Sequence, residues 1–143
     1  MLTRLEPDQI SKFWDAIKGA IEMGLPPMAE NDESRMPNVL ASLLKGDAQA
    51  WVIEQKDQIA GVVVTMVLLE EMTQTKNLLI YSFAGYEAIM RETRMKALQE
   101  LTQFAKGMDC HAVSAFTTHA GLVEMFKRRV PETKTETYIS VPV

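Results

Sequence analysis

Cysteine is almost missing from this sequence, histidine is scarce, and there is no excess of positive charge. The single Cys110 cannot close an internal disulfide, and with only two histidines beside it no metal-ligand spacing exists. The formal net charge is −4, so no overall positive field draws in nucleic acid or an anionic membrane, and neither is expected as a partner. Long hydrophobic runs are absent too. The longest, Ile59 to Leu69, is interrupted by Gly61 and Thr65 and falls short of the ~20 residues a bilayer span needs. There is no glycine-rich Walker loop, no nucleophile elbow, no internal repeat and no low-complexity tract. The opening residues carry acids and Pro7 where a signal peptide would have an apolar centre, so a cytoplasmic location is expected.

What is present is an ordinary globular composition, 47% apolar and 24% charged. At 143 residues, folding can bury roughly two-thirds of the unfolded chain's surface, so one domain over residues 1–143 is expected. Leu2 to Leu5 alternates and predicts a short first strand. From Asp8, apolar residues at Ile10, Phe13, Trp14, Ile17 and Ile21 lie three and four apart, which lays one stripe along a helix ended by Gly24. Leu25 to Arg35 has no period and reads as a surface loop. In it Met28, with Met23 and Met36 at its flanks, offers an adaptable contact surface. Pro37 then opens a second helix that Gly46 stops.

Three strands follow as a meander: Ala48 to Gln55, Ile59 to Leu69, and Leu78 to Ala84. The second is apolar on both parities and is expected at the sheet centre. A long helix is predicted from about Tyr86 to Lys106, then a short parallel strand at Ala112 to Phe116 and a short helix before Pro131. Thr135 to Val143 alternates and predicts a closing strand. The expected class is α/β with a mixed sheet, in the order β-α-α-β-β-β-α-β-α-β.

That order, over essentially the whole chain, resembles the GNAT-type acyl-CoA N-acyltransferases. The stretch Thr117 to Arg129 adds a local likeness to that family's final helix, where an aromatic residue is followed by a basic one. It is similar in particular to degenerate, phage-encoded members. The resemblance implies acetyl-CoA as cofactor and a small-molecule amine as acceptor.

The sequence departs from the family at two places. The family's Arg/Gln-x-x-Gly-x-Gly/Ala loop, where backbone N–H groups cradle a pyrophosphate, corresponds to Ser82 to Arg91, which retains one glycine. Gly85 there either lets a ligand approach the backbone or merely turns the chain. Arg91 and Arg94 either supply charge or are solvated. Phe83 and Tyr86 flank the turn and count with Gly85, Arg91 and His119 as cofactor-contacting candidates. Glu87 opposes an anion at this helix start.

The second departure is Phe126, which stands where many members have a tyrosine that protonates the departing thiolate. Cys110, His111 and His119 are the alternatives by residue type. Tyr81 fits core or rim equally. Glu70 and Glu71, at the end of the central strand, are the candidate bases for an amine, with a solvated loop pair as the other reading. Lys127, Arg128 and Arg129 read as charge bias at a helix C-terminus.

The expectation is a GNAT-fold protein that has lost acetyl transfer and serves as an interaction or structural component, with a protein partner or self-association, cytoplasmic or in a phage particle. The alternative is an active acetyl-CoA-dependent N-acetyltransferase with a divergent cofactor loop.

Overall fold

A computed structural model of the chain describes residues 1–24, 36–117 and 120–143. The expected loop from Leu25 to Arg35, with Met28, and the candidate His119 lie outside the described residues.

The chain runs β1 (Leu2–Arg4), α1 (Pro7–Lys12), α2 (Trp14–Met23), α3 (Met36–Lys45), β2 (Ala48–Gln55), β3 (Gln58–Glu70), β4 (Thr75–Gly85), α4 (Arg91–Gly107), β5 (Ala112–Ala115) and α5 (Ala120–Arg129). The five strands form one sheet in sequence order, which puts β3 at its centre. β1 to β4 pair antiparallel, and β5 joins β4 in parallel after the α4 crossover. The β2–β3 hairpin closes through Lys56 and Asp57, both at positive φ, the geometry whose twist matches that of paired strands.

Both faces of the sheet are covered, as the two-sided apolar pattern of β3 requires. On one face Ala97, Leu101 and Ala105 of α4 pack against Trp51, Ile53, Val63 and Leu78. Trp51 meets the Phe104 ring edge-on at 5.1 Å, and its indole N–H donates to the buried Thr65 hydroxyl at 2.8 Å. On the other face Ile10, Ile17, Ile21, Met36 and Leu43 of α1, α2 and α3 pack against Ala48, Ala50 and Val64.

Three elements differ from expectation. The first helix is two: Phe13 leaves helical geometry at φ −108°, ψ 21°, between α1 and α2. The long helix starts at Arg91 rather than Tyr86, because Gln55 holds the intervening chain in another conformation. The closing strand over Thr135 to Val143 does not form. A strand exists only against a partner, and among the described residues the segment has no strand beside it and lies exposed. No helix among the described residues is long and apolar enough to cross a membrane.

Candidate functional site

The site begins with an irregularity in β4. Val64 faces Ser82 and Thr65 faces Ile80, so Tyr81 is an extra residue in the ladder, a β-bulge. The bulge re-aims the strand where the parallel β4–β5 pairing ends, at Ile80 and Ala115. Beyond it, Ser82 to Gly85 stay paired to β3 on one side and have no β5 partner on the other, so the two strands form a fork. An extended ligand entering the fork meets main-chain donors and acceptors that no strand has taken. Tyr81 itself packs against the α1–α3 core.

The β4 prong is closely held. Gly24, at the end of α2, lies against the Phe83 backbone so tightly that a Cβ there would sit 2.2 Å from the Phe83 carbonyl oxygen. Only glycine allows this approach. After Gly85 the Tyr86 N–H donates to the Ala60 carbonyl at 2.8 Å. The buried Gln55 then fixes the next residues: its Nε2 donates to the Glu87 carboxylate and the Ala88 carbonyl, both at 3.1 Å, and its Oε1 accepts the Met90 N–H at 2.7 Å. Met90 is the N-cap of α4.

The brace uses the Met90 N–H, and the segment from Tyr86 to Met90 that leads into α4 contains no glycine. A Cβ on Gly85 would meet nothing nearer than 3.6 Å, so no neighbour requires glycine there. Phe83 and Tyr86 stand about half exposed at this end of β4.

Positive charge arrives differently. Both α4 and α5 begin beyond the carboxyl ends of β4 and β5, the position where open α/β sheets bind ligands. Between these helices lies a cleft of about 420 Å³, lined by Arg91, Arg94 and Met95 of α4 and by Gly121, Glu124, Met125, Arg128 and Arg129 of α5. Four arginines and one acid thus line the same cleft in a chain of net charge −4. Two arginine pairs more than thirty residues apart in sequence meet here. From the sequence, Arg91 is a cofactor-contacting candidate and Arg128 and Arg129 are charge bias at a helix C-terminus; nothing in either segment signals the other.

Across the sheet from α4, α2 carries a group that the sequence does not single out. The Glu22 Oε1 is buried and has no hydrogen-bond partner among the described residues, two residues before the Gly24 contact with β4. A buried carboxylate oxygen left unpaired costs free energy that a cationic or N–H donor would recover.

The other candidates fall elsewhere. Glu70 and Glu71 sit at the β3–β4 turn, where β3 has run on from Thr65 to Glu70, roughly 16 Å at about 3.3 Å per residue, away from the bulge. The Thr73 hydroxyl and the Thr73 and Met72 N–H groups donate to the Glu70 carboxylate and hold its pKa below the ordinary value. That is how a turn-capping acid behaves. The structure does not bring Glu70 or Glu71 to the fork. His111 is exposed and donates its backbone N–H to Lys76 near the start of β4, while Cys110 packs half-buried against the α4 core. Phe126 is half-buried on α5. No group of three or more metal-ligating side chains occurs among the described residues.

No protein-family model matches the chain, and no curated protein matches it in sequence. Solved structures do match in shape. An aminoglycoside acetyltransferase from an uncultured soil metagenomic sample, in complex with sisomicin, superposes with a TM-score of 0.70 at 13% identity, covering 100% of this chain and 95% of that one. A predicted acetyltransferase with acetyl-CoA from Clostridium acetobutylicum gives 0.66 at 14% identity over 99% and 95%. Ribosomal-protein-alanine N-acetyltransferase from Brucella melitensis biovar Abortus gives 0.63 at 10% identity over 99% of each chain. The chain has the GNAT-type acyltransferase fold.

Proposed function

We propose that this protein is an acyl-CoA-dependent N-acyltransferase with a rebuilt anion site, acting on a small cationic amine. The observation that carries the reading is the convergence of Arg91, Arg94, Arg128 and Arg129 on one cleft beyond the open β4–β5 fork. The pieces suit the donor in kind. Guanidinium groups take the place of the missing glycine cradle for phosphates, and the unpaired main chain of Tyr81 to Gly85 suits an extended amide-bearing arm. A bound acyl-CoA supplies a thioester, whose carbonyl carbon accepts the amine's lone pair; the C–N bond forms and the C–S bond breaks.

The residues of this chain then have separate tasks. The arginines bind and orient the anionic end. The bulge at Tyr81 keeps the β4 edge open. Glu22, on the opposite face of the sheet, holds the acceptor ammonium and takes the proton it must lose before attack. Phe126 has no proton to give, so the thiolate leaves unassisted from that position and is protonated by water.

Calorimetric titration with acetyl-CoA tests the binding half. Arg91→Glu and Arg128→Glu are each expected to weaken affinity about tenfold or more, and raised salt is expected to weaken it further. Mass spectrometry of aminoglycosides and polyamines incubated with protein and acetyl-CoA tests turnover, with Glu22→Gln expected to bind the donor yet acylate slowly. No heat at millimolar acetyl-CoA would sink the reading.

A second reading is favoured by Phe126 together with the braced loop at Met90: a GNAT-fold protein without transfer, serving as an interaction component. Binding without product from any amine, or no binding at all, would favour it.

A further inference from the structure

The cleft between α4 and α5 is longer than one pair of phosphates requires. On α5 its lining falls at Gly121, Glu124, Met125, Arg128 and Arg129, spaced three and four apart, so a single face of the helix borders it. From Gly121 to Arg129 that face runs roughly 12 Å at about 1.5 Å per residue. A Cβ on Gly121 would have no neighbour within 4 Å, so this end of the cleft is open. Arginine stands at the other end.

The two arginine pairs sit in different electrostatic settings. Arg91 is the first residue of α4 and Arg94 lies in its first turn, where the positive end of the helix dipole disfavours a cation. Arg128 and Arg129 close α5, where the negative end favours one. Helix bias thus accounts for the α5 pair and works against the α4 pair, a placement that a bound anion offsets. No ion pair or side-chain hydrogen bond to any of the four occurs among the described residues, although Glu124 lies one turn from Arg128.

Charge and length together set what the cleft can hold. A pyrophosphate within an ester chain carries one charge on each phosphorus and spans a single bridging oxygen. Four arginines against one acid exceed that charge, and the cleft exceeds that length. A phosphate monoester adds about −1.5 to −2 of charge at pH 7 and three acceptor oxygens, which guanidinium forks bind two at a time. Met95 and Met125, half-buried and one on each helix, offer adaptable apolar surface to a planar base.

We infer that the cleft selects the ribose 3′-phosphate of the acyl donor: Arg91 and Arg94 hold the pyrophosphate, and Arg128 and Arg129 hold the phosphate monoester. The inference rests on the reading of the chain as an acyl-CoA-dependent transferase and adds which of the donor's phosphates decides binding.

Calorimetric titration with acetyl-CoA and with acetyl-dephospho-CoA, which lacks only the 3′-phosphate, reads the outcome. The second donor is expected to bind about tenfold or more weakly. Arg128→Gln combined with Arg129→Gln is expected to bring the two donors within about twofold of each other, whereas Arg91→Gln weakens both and keeps their ratio. Unchanged urea midpoints check that the variants are folded. Adenosine 3′,5′-bisphosphate, which has no thioester, is expected to bind about tenfold or more tightly than adenosine 5′-monophosphate. Equal affinity for the two donors would overturn the inference and leave the proposed activity standing. A preference that survives in the α5 double variant would overturn it as well, by placing the 3′-phosphate elsewhere. A 3′-phosphate preference lost in that variant, without product from any amine, upholds the inference while the proposed activity falls. No binding of either donor overturns both.

Discussion

At the scale of single residues, glycines that look alike in sequence differ in consequence. Gly24→Ala would push a methyl to 2.2 Å from the Phe83 carbonyl oxygen, which is backbone and cannot turn aside. The expected loss is about 1–3 kcal/mol or more, read as a lower urea midpoint. Gly85→Ala meets only ordinary contacts and is expected to change stability by less than about 0.5 kcal/mol. In the sequence it is Gly85 that stands out, since a lone glycine before a helix suggests a phosphate loop. A close approach between distant segments leaves no local mark at Gly24. Glu70 adds a pH-dependent term. Its pKa is lowered from 4.5 first by the Thr73 hydroxyl and then by the Thr73 and Met72 N–H groups. A lowered carboxyl contributes stability above the unfolded value and loses it as pH falls through the folded one. Urea midpoints measured from pH 7 downward are therefore expected to fall less steeply below about pH 4.5 for Glu70→Gln than for the wild type.

Among the elements, those with a strong period or a clear stop were legible. α3 ends at Gly46, which has φ +86°, as the sequence indicated. β3 lies at the centre because both of its faces are apolar. The start of α4 was not legible. Tyr86 to Met90 has no strong breaker, and the residue that holds it out of the helix is Gln55, at the end of another strand. Gln55→Leu keeps the bulk and removes all three bonds, leaving the Met90 N–H and Ala88 carbonyl to find water. We expect a loss of about 1–3 kcal/mol and faster amide exchange at Arg91 to Arg94, measured by mass spectrometry. The closing strand failed for a related reason. Alternation states that a segment can be a strand; it does not supply the partner.

For the molecule as a whole, the order of elements carried the fold, because connection lengths and two-sided apolarity leave few arrangements. The candidate site was legible only in part. Arg91 was singled out, but its companions on α5 are joined to it only by the way two helices come together, and Glu22 stands out only once its oxygen is seen to be buried.

The fork also has unequal arms. β4 is laced to β3 along its length, butted by Gly24 and tied down at Tyr86 and Met90, whereas β5 offers four residues and, among the described residues, one neighbouring strand. Like a vice with one fixed jaw, the cleft can widen only by yielding on the β5 side. The bulk of whatever fits within is therefore gauged there, and a search for altered size tolerance belongs at Ala115 to Thr117 rather than along β4.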